Sequence, residues 1–140
     1  MKNYDLERFV KAQEDDYNIA LREIKAGQKK SHWIWYIFPQ LIDLGRSSTA
    51  KFYGIENLDE AKLYLAHPVL GARLREISEA LLNLDDNNPY NVMGGHPDDY
   101  KLQSCMTLFA HISESNSVFH KVLEKFFDGQ FDENTLNLLK

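Results

Sequence analysis

Three histidines (His32, His67, His96), three polar residues of one short stretch (Asp98, Lys101, Ser104) and two tryptophans are the groups of this chain best suited to chemistry. Trp33 and Trp35 lie in "KKSHWIWYIFPQL", residues 29–41, with Tyr36 and Phe38 beside them and Lys29, Lys30, Ser31 and His32 just ahead. Their rings could stack a base or another planar group while Lys29, Lys30, Arg46 and Lys51 hold a phosphate. Large aromatics also fill the core of a small helical domain, and a segment apolar all round is usually buried all round. Ser31 and His32 could serve as nucleophile and base, yet sequence neighbours rarely meet in that geometry. Ser31 fits better as an N-cap before the apolar run, which leaves His32 as a phosphate donor or a bystander. Pro39 opposes the carbonyl of Trp35, so a helix here bends or ends and exposes Gln40.

His67–Pro68 and His96–Pro97 each read as a loop-to-helix junction, where unpaired N–H groups and the helix dipole favour an anion. Two such ends converging on the basic segment would make a small-anion pocket; apart, they are plain caps. Asp98 and Lys101 have the spacing to pair on one helix, as do Lys101 and Ser104. Asp99 reads as a first-turn acid, because adjacent aspartates point in different directions and make no general acid/base pair. The five histidines stand at 32, 67, 96, 111 and 120 with no HxxxH spacing, and one cysteine accompanies them. That pattern predicts no metal site. The chain has no Gly-rich phosphate loop and no GxSxG elbow, so the sequence names no cofactor.

The elements that position these groups read as helices. Leu6, Phe9, Val10, Gln13, Tyr17, Ala20, Leu21 and Ile24 recur at three- and four-residue steps over residues 5–26, with Gly27 as the stop. Asn57 is placed as an N-cap ahead of first-turn acids, and Pro68 ends that helix and begins the next. Leu70, Leu74, Ile77, Leu81 and Leu84 form the following stripe, and "DDNNPYN" is a turn cluster. Leu102, Cys105, Phe109 and Ile112 face inward on the helix after "GGHPDDYK", and a helix ending at Gly129 and a short closing one follow. No period-two alternation is sustained. The expectation is an all-α single domain over residues 1–140, of about seven helices.

"SHWIWYIFPQL", "YLAHPVLGARL", "HPDDYKLQSCMTLF" and "FDENTLNLLK" together resemble the DUF1810 family over nearly the whole chain. The resemblance implies a mainly helical cytosolic domain, mostly bacterial, with no established activity. Some members carry the label calpastatin, which this sequence does not support, since an inhibitor repeat of that kind is disordered and low in aromatics. Relatives usually have a serine pair in a shorter block; here the stretch reads Gly94-Gly95-His96 and then Ser104-Cys105.

Charge narrows the partner. The chain carries −5, yet residues 22–51 hold six bases against Glu23 and Asp43, which makes that segment +4 and the remainder −9. An acidic remainder repels a long polyanion, whereas a small anion feels mainly the local field. The expectation is therefore binding or processing of a small anionic, nucleotide-like ligand by Lys30, Ser31, His32, Trp33, Trp35, Gln40, Arg46, His67, Asp98, Lys101 and Ser104. The alternative is a protein-interaction module with the Trp-rich segment as an exposed anchor, and nucleic-acid binding ranks below both. A single thiol and the lack of a signal peptide or membrane-length apolar run point to the cytoplasm.

Overall fold

The structure, a computed structural model, describes residues 3–140. Among the described residues the chain forms α1 (Glu7–Lys25), α2 (Ile34–Ile37), a 3-10 turn (Ile42–Leu44), α3 (Ser48–Phe52), α4 (Leu58–Ala66), α5 (Leu70–Leu82), α6 (Pro89–Met93), α7 (Asp98–His111), α8 (Val118–Phe127) and α9 (Glu133–Leu138). The all-α expectation holds. Four of the nine described helices, α2, α3, α6 and α9, are pieces of four to six residues, and α6, which reads as a turn cluster in sequence, is too short to show a periodic stripe. No described helix is long and apolar enough to cross a membrane.

Helix α7 is the central element: every residue from Ser104 to Ala110 is buried. It packs on α8, α6, α9 and α4, while α5 joins α8, α1 and α4 on the other side of the core. Four rings thread this core in sequence. Phe9 meets Tyr64 edge-on at 5.0 Å, Tyr64 meets Phe109 at 5.4 Å, and Phe109 meets Phe119 at 5.8 Å. Ring pairs of this kind add about 0.5–1.5 kcal/mol each to their area burial, so they fix how α1, α4, α7 and α8 cross. Gly71 lets α5 start against the end of α4, since a Cβ there would sit 2.0 Å from the Leu65 carbonyl oxygen.

Local chemistry sets the helix starts. Asn57 accepts the Glu60 N–H at 3.0 Å as its sequence predicts, and Ser47, Asn88, Ser117 and Asp132 cap α3, α6, α8 and α9 in the same way. Two boundaries differ from expectation. The turn cluster at 85–91 stops at Asn88, because Pro89 takes the first position of α6, where its missing N–H costs nothing. Pro68 lies in a link before α5 rather than inside it, and Leu70 opens the helix.

Two polar residues of α1, the buried Gln13 and the half-buried Arg8, hold the segment that carries the tryptophans and the chain after α3. Gln13 donates to the Tyr36 carbonyl at 2.7 Å, satisfying the end of α2. Arg8 donates to the carbonyls of Phe52 (2.8 Å) and Gly54 (2.9 Å) and pairs with Glu60 at 3.0 Å. A parallel bridge then ties the chain after Pro39 to the chain after α3: the Ile55 N–H donates to the Gln40 carbonyl and the Ile42 N–H to the Ile55 carbonyl, both at 2.8 Å. Gln40 is thereby fixed beside the first turns of α7.

Candidate functional site

Glu23, on the polar side of α1, organises the basic-aromatic turn. Its carboxylate accepts the N–H of Lys30 (2.8 Å) and of Ser31 (3.0 Å), the Ser31 hydroxyl (2.5 Å) and the Trp33 indole N–H (2.9 Å). Partial burial alone would raise its pKa. The hydrogen bonds from Ser31, Lys30 and Trp33 outweigh that and hold it down at about 2.

This arrangement corrects several expectations. Ser31 is not the N-cap of α2; Trp33 takes that position, with no side-chain cap, and the serine hydroxyl is spent on Glu23. Trp33 is 1% exposed, so its ring is core and no ligand reaches it. Tyr36 and Phe38 are buried too, and a partner protein finds no exposed anchor in them. The Lys30 and His32 side chains are exposed at this turn, and Arg46 is exposed after the 3-10 turn, but none of the three lines the groove described below. His67 is a cap: its Nδ1 accepts the N–H of Val69 (3.1 Å) and Leu70 (3.2 Å), filling the helix end that was expected to take an anion.

The remaining predicted residues do come together, around the first turns of α7. Lys29 is buried, and a buried ammonium has to be paired. It pairs with Asp98 at 2.8 Å, donates to the Ser31 carbonyl, and lies 4.8 Å from the centre of the Trp33 ring. Lys101 reaches the same carboxylate at 3.9 Å and lies 5.5 Å from the centre of the Trp35 ring. Two tryptophans and two lysines thus alternate around a single acid. Trp35, Gln40, Tyr53 and Lys101 enclose a space of about 10 Å³, on the order of one water probe sphere. Gln40 and Lys101 also line an open groove of about 400 Å³, whose other walls include Pro97, Tyr100, Gln103, Ser104, Asp132 and Asn134.

Asp132 closes the groove from α9. Its Oδ2 accepts the Ser104 hydroxyl (3.0 Å), the Thr135 N–H (3.0 Å) and the Thr135 hydroxyl (2.5 Å). Ser104 therefore serves the α7–α9 junction and does not meet Lys101 as its spacing suggested. Sequence reasoning missed Tyr100, Asp132 and Asn134 as groove residues. The cap position of Asp132 ahead of "ENT" was the signal available for one of them.

The model of DUF1810, described as a protein of unknown function, matches residues 3–139. The chain belongs to this family. A solved structure, that of the conserved hypothetical protein Rv1873 from Mycobacterium tuberculosis, is similar at 43% identity. The match covers 97% of this chain and 96% of that one, with a TM-score of 0.93. No curated protein matches. Three of the segments that carry the DUF1810 likeness in sequence, residues 31–41, 96–109 and 131–140, meet at the groove: the first supplies Gln40, the second Pro97 to Ser104, and the third Asp132 and Asn134.

Two other hollows of this DUF1810 chain suit an anion less well. A cleft of about 300 Å³ is rimmed by Asp43, Glu56 and Asp59 and has no basic lining residue. A depression of about 470 Å³ sets Arg75 against Glu79 and Glu114. Of these three hollows among the described residues, the α7 groove is the one that sets an ammonium, that of Lys101, beside a tyrosine ring.

Proposed function

We propose that this protein binds a small anionic ligand in the groove beside α7. Lys101 is the anion contact, Trp35 backs that lysine, and Gln40 and Ser104 line the walls. The observation that carries this is the sharing of one carboxylate by two lysines. Asp98 lies 2.8 Å from Lys29 and 3.9 Å from Lys101, so its charge is committed to the buried partner and one positive charge is left over at the groove. A partly exposed pair as long as Lys101–Asp98 contributes about 0–1 kcal/mol, so the ammonium turns to an incoming anion at little cost. The Asp132 carboxylate in the same groove already accepts three hydrogen bonds, which blunts its opposition.

A thermal-shift series with inorganic phosphate, sulfate and ribose 5-phosphate tests this. A ligand at a hundredfold excess over its Kd stabilises the fold by about 2.7 kcal/mol. Lys101→Met should abolish the response, and Arg46→Met, outside the groove, should keep it. If no anion stabilises the wild type, or the Lys101 variant responds equally, the groove is not an anion site.

A further inference from the structure

The start of α7 carries an aromatic arrangement that charge does not account for. Tyr100 is 56% exposed, yet its ring is held in place. The His96 imidazole stacks on one face, with centroids 4.5 Å apart and planes 9° from parallel. His96 is itself fixed from two further sides. Its Nδ1 lies 2.7 Å from Asp99 Oδ2, and the Tyr90 ring meets it edge-on at 4.8 Å. Asp99 is 4% exposed and also accepts the Tyr100 N–H at 2.9 Å, so the acid that sets the imidazole is anchored in the fold.

Such backing makes Tyr100 a preorganised surface, because the rotamer freedom that binding would remove is already restricted. Tyr100 and Pro97 line the groove and His96 does not, so the ring face that the imidazole leaves uncovered is the one open to a ligand there. The next residue, Lys101, supplies the ammonium. Amides of Gln40, Gln103 and Asn134 line the same walls and can both donate and accept at the edge of a heterocycle. The groove volume of about 400 Å³ falls within the ~300–1,000 Å³ typical of small-molecule sites.

We propose that the ligand is a nucleoside monophosphate. Its base stacks on Tyr100 as the third ring of a His96–Tyr100–base column, and its phosphate meets Lys101. This rests on the anion-binding role of the groove and adds a second determinant that does not depend on charge. His96, Asp99 and Tyr90 are positioning residues for the Tyr100 ring.

The test is calorimetric titration of the full chain with AMP, GMP, CMP and UMP against ribose 5-phosphate, in wild type, Tyr100→Leu, Tyr100→Phe and Lys101→Met. Far-UV circular dichroism confirms that each variant is folded. Base stacking on an aromatic side chain makes at least one monophosphate bind about fivefold or more tighter than ribose 5-phosphate. Tyr100→Leu should erase that advantage while leaving ribose 5-phosphate affinity unchanged, and Tyr100→Phe should keep it. If every monophosphate binds no better than ribose 5-phosphate, or Tyr100→Leu preserves the ratio, the stacking site is refuted and the anion groove stands. If none of these phosphates binds, or Lys101→Met binds them all as wild type does, both the groove and the stacking site are refuted.

Discussion

Glu23→Gln isolates the staple under the basic-aromatic turn. The carboxylate accepts four hydrogen bonds, and a glutamine oxygen in its place keeps the shape without the charge. The fall of the Glu23 pKa from 4.5 to about 2 converts to an upper bound of about 3 kcal/mol. Glu23 is partly exposed, and solvent screening brings this to about 1–2 kcal/mol. Because the folded-state value lies below the unfolded one, the contribution is complete above about pH 4.5 and is lost as pH falls toward about 2. Urea unfolding at pH 7 should therefore show the variant about 1–2 kcal/mol less stable than wild type, and at pH 3 the gap should shrink to less than half. Glu14→Gln, on the exposed side of α1, is the comparison and should show no such narrowing. A gap equal at both pH values, or absent at pH 7, would refute the assignment of the staple to a charged Glu23.

Three further outcomes follow from the packing. Gly71→Ala gains about 1 kcal/mol in helix propensity, but its Cβ would lie 2.0 Å from the Leu65 carbonyl oxygen. The net effect should be a loss of about 2 kcal/mol or more by urea unfolding. Lys125→Met keeps the apolar stem but removes an ammonium that donates to the carbonyls of Leu81 (2.9 Å), Leu82 (3.2 Å) and Leu84 at the end of α5. It should lower stability by about 1–2 kcal/mol, with hydrogen exchange rising in the last turn of α5. Cys105 is fully buried, and burial pushes its thiol pKa well up, so Ellman's reagent should leave the native protein unmodified and label it on unfolding.

How much of this was legible in sequence depends on the range of the interaction. The α1 stripe shows as an unbroken three- and four-residue period, and Phe9, Gln13, Tyr17, Ala20 and Ile24 are its buried members. Asn57 and Gly27 act within a turn of their own positions, and local chemistry suffices to read them. Ser31 misleads for the same reason. It has the form of an N-cap, but its hydroxyl is claimed by Glu23 from the preceding helix, and nothing near Ser31 in the chain announces that. Lys29 reads in sequence as one of four bases able to hold a phosphate; its burial depends on Asp98, far along the chain.

The position of the groove has a reason that the pattern of α7 contains. Seven consecutive residues, Ser104 to Ala110, are buried, so the body of this helix has no solvent-facing side on which to carry chemistry. What it can offer to a ligand is confined to its first turns, where Asp98, Tyr100, Lys101 and Gln103 remain at least partly exposed. In "DDYKLQSCMTLFAH" this appears as a polar start running into an apolar stretch with no clean stripe, the form of a helix that enters a core end-on. A helix entering that way exposes its positive end, and α7 fills it with Asp98 and Asp99. Lys29 then neutralises Asp98 from below, Asp99 is taken by His96, and Lys101 keeps the charge that neither acid cancels.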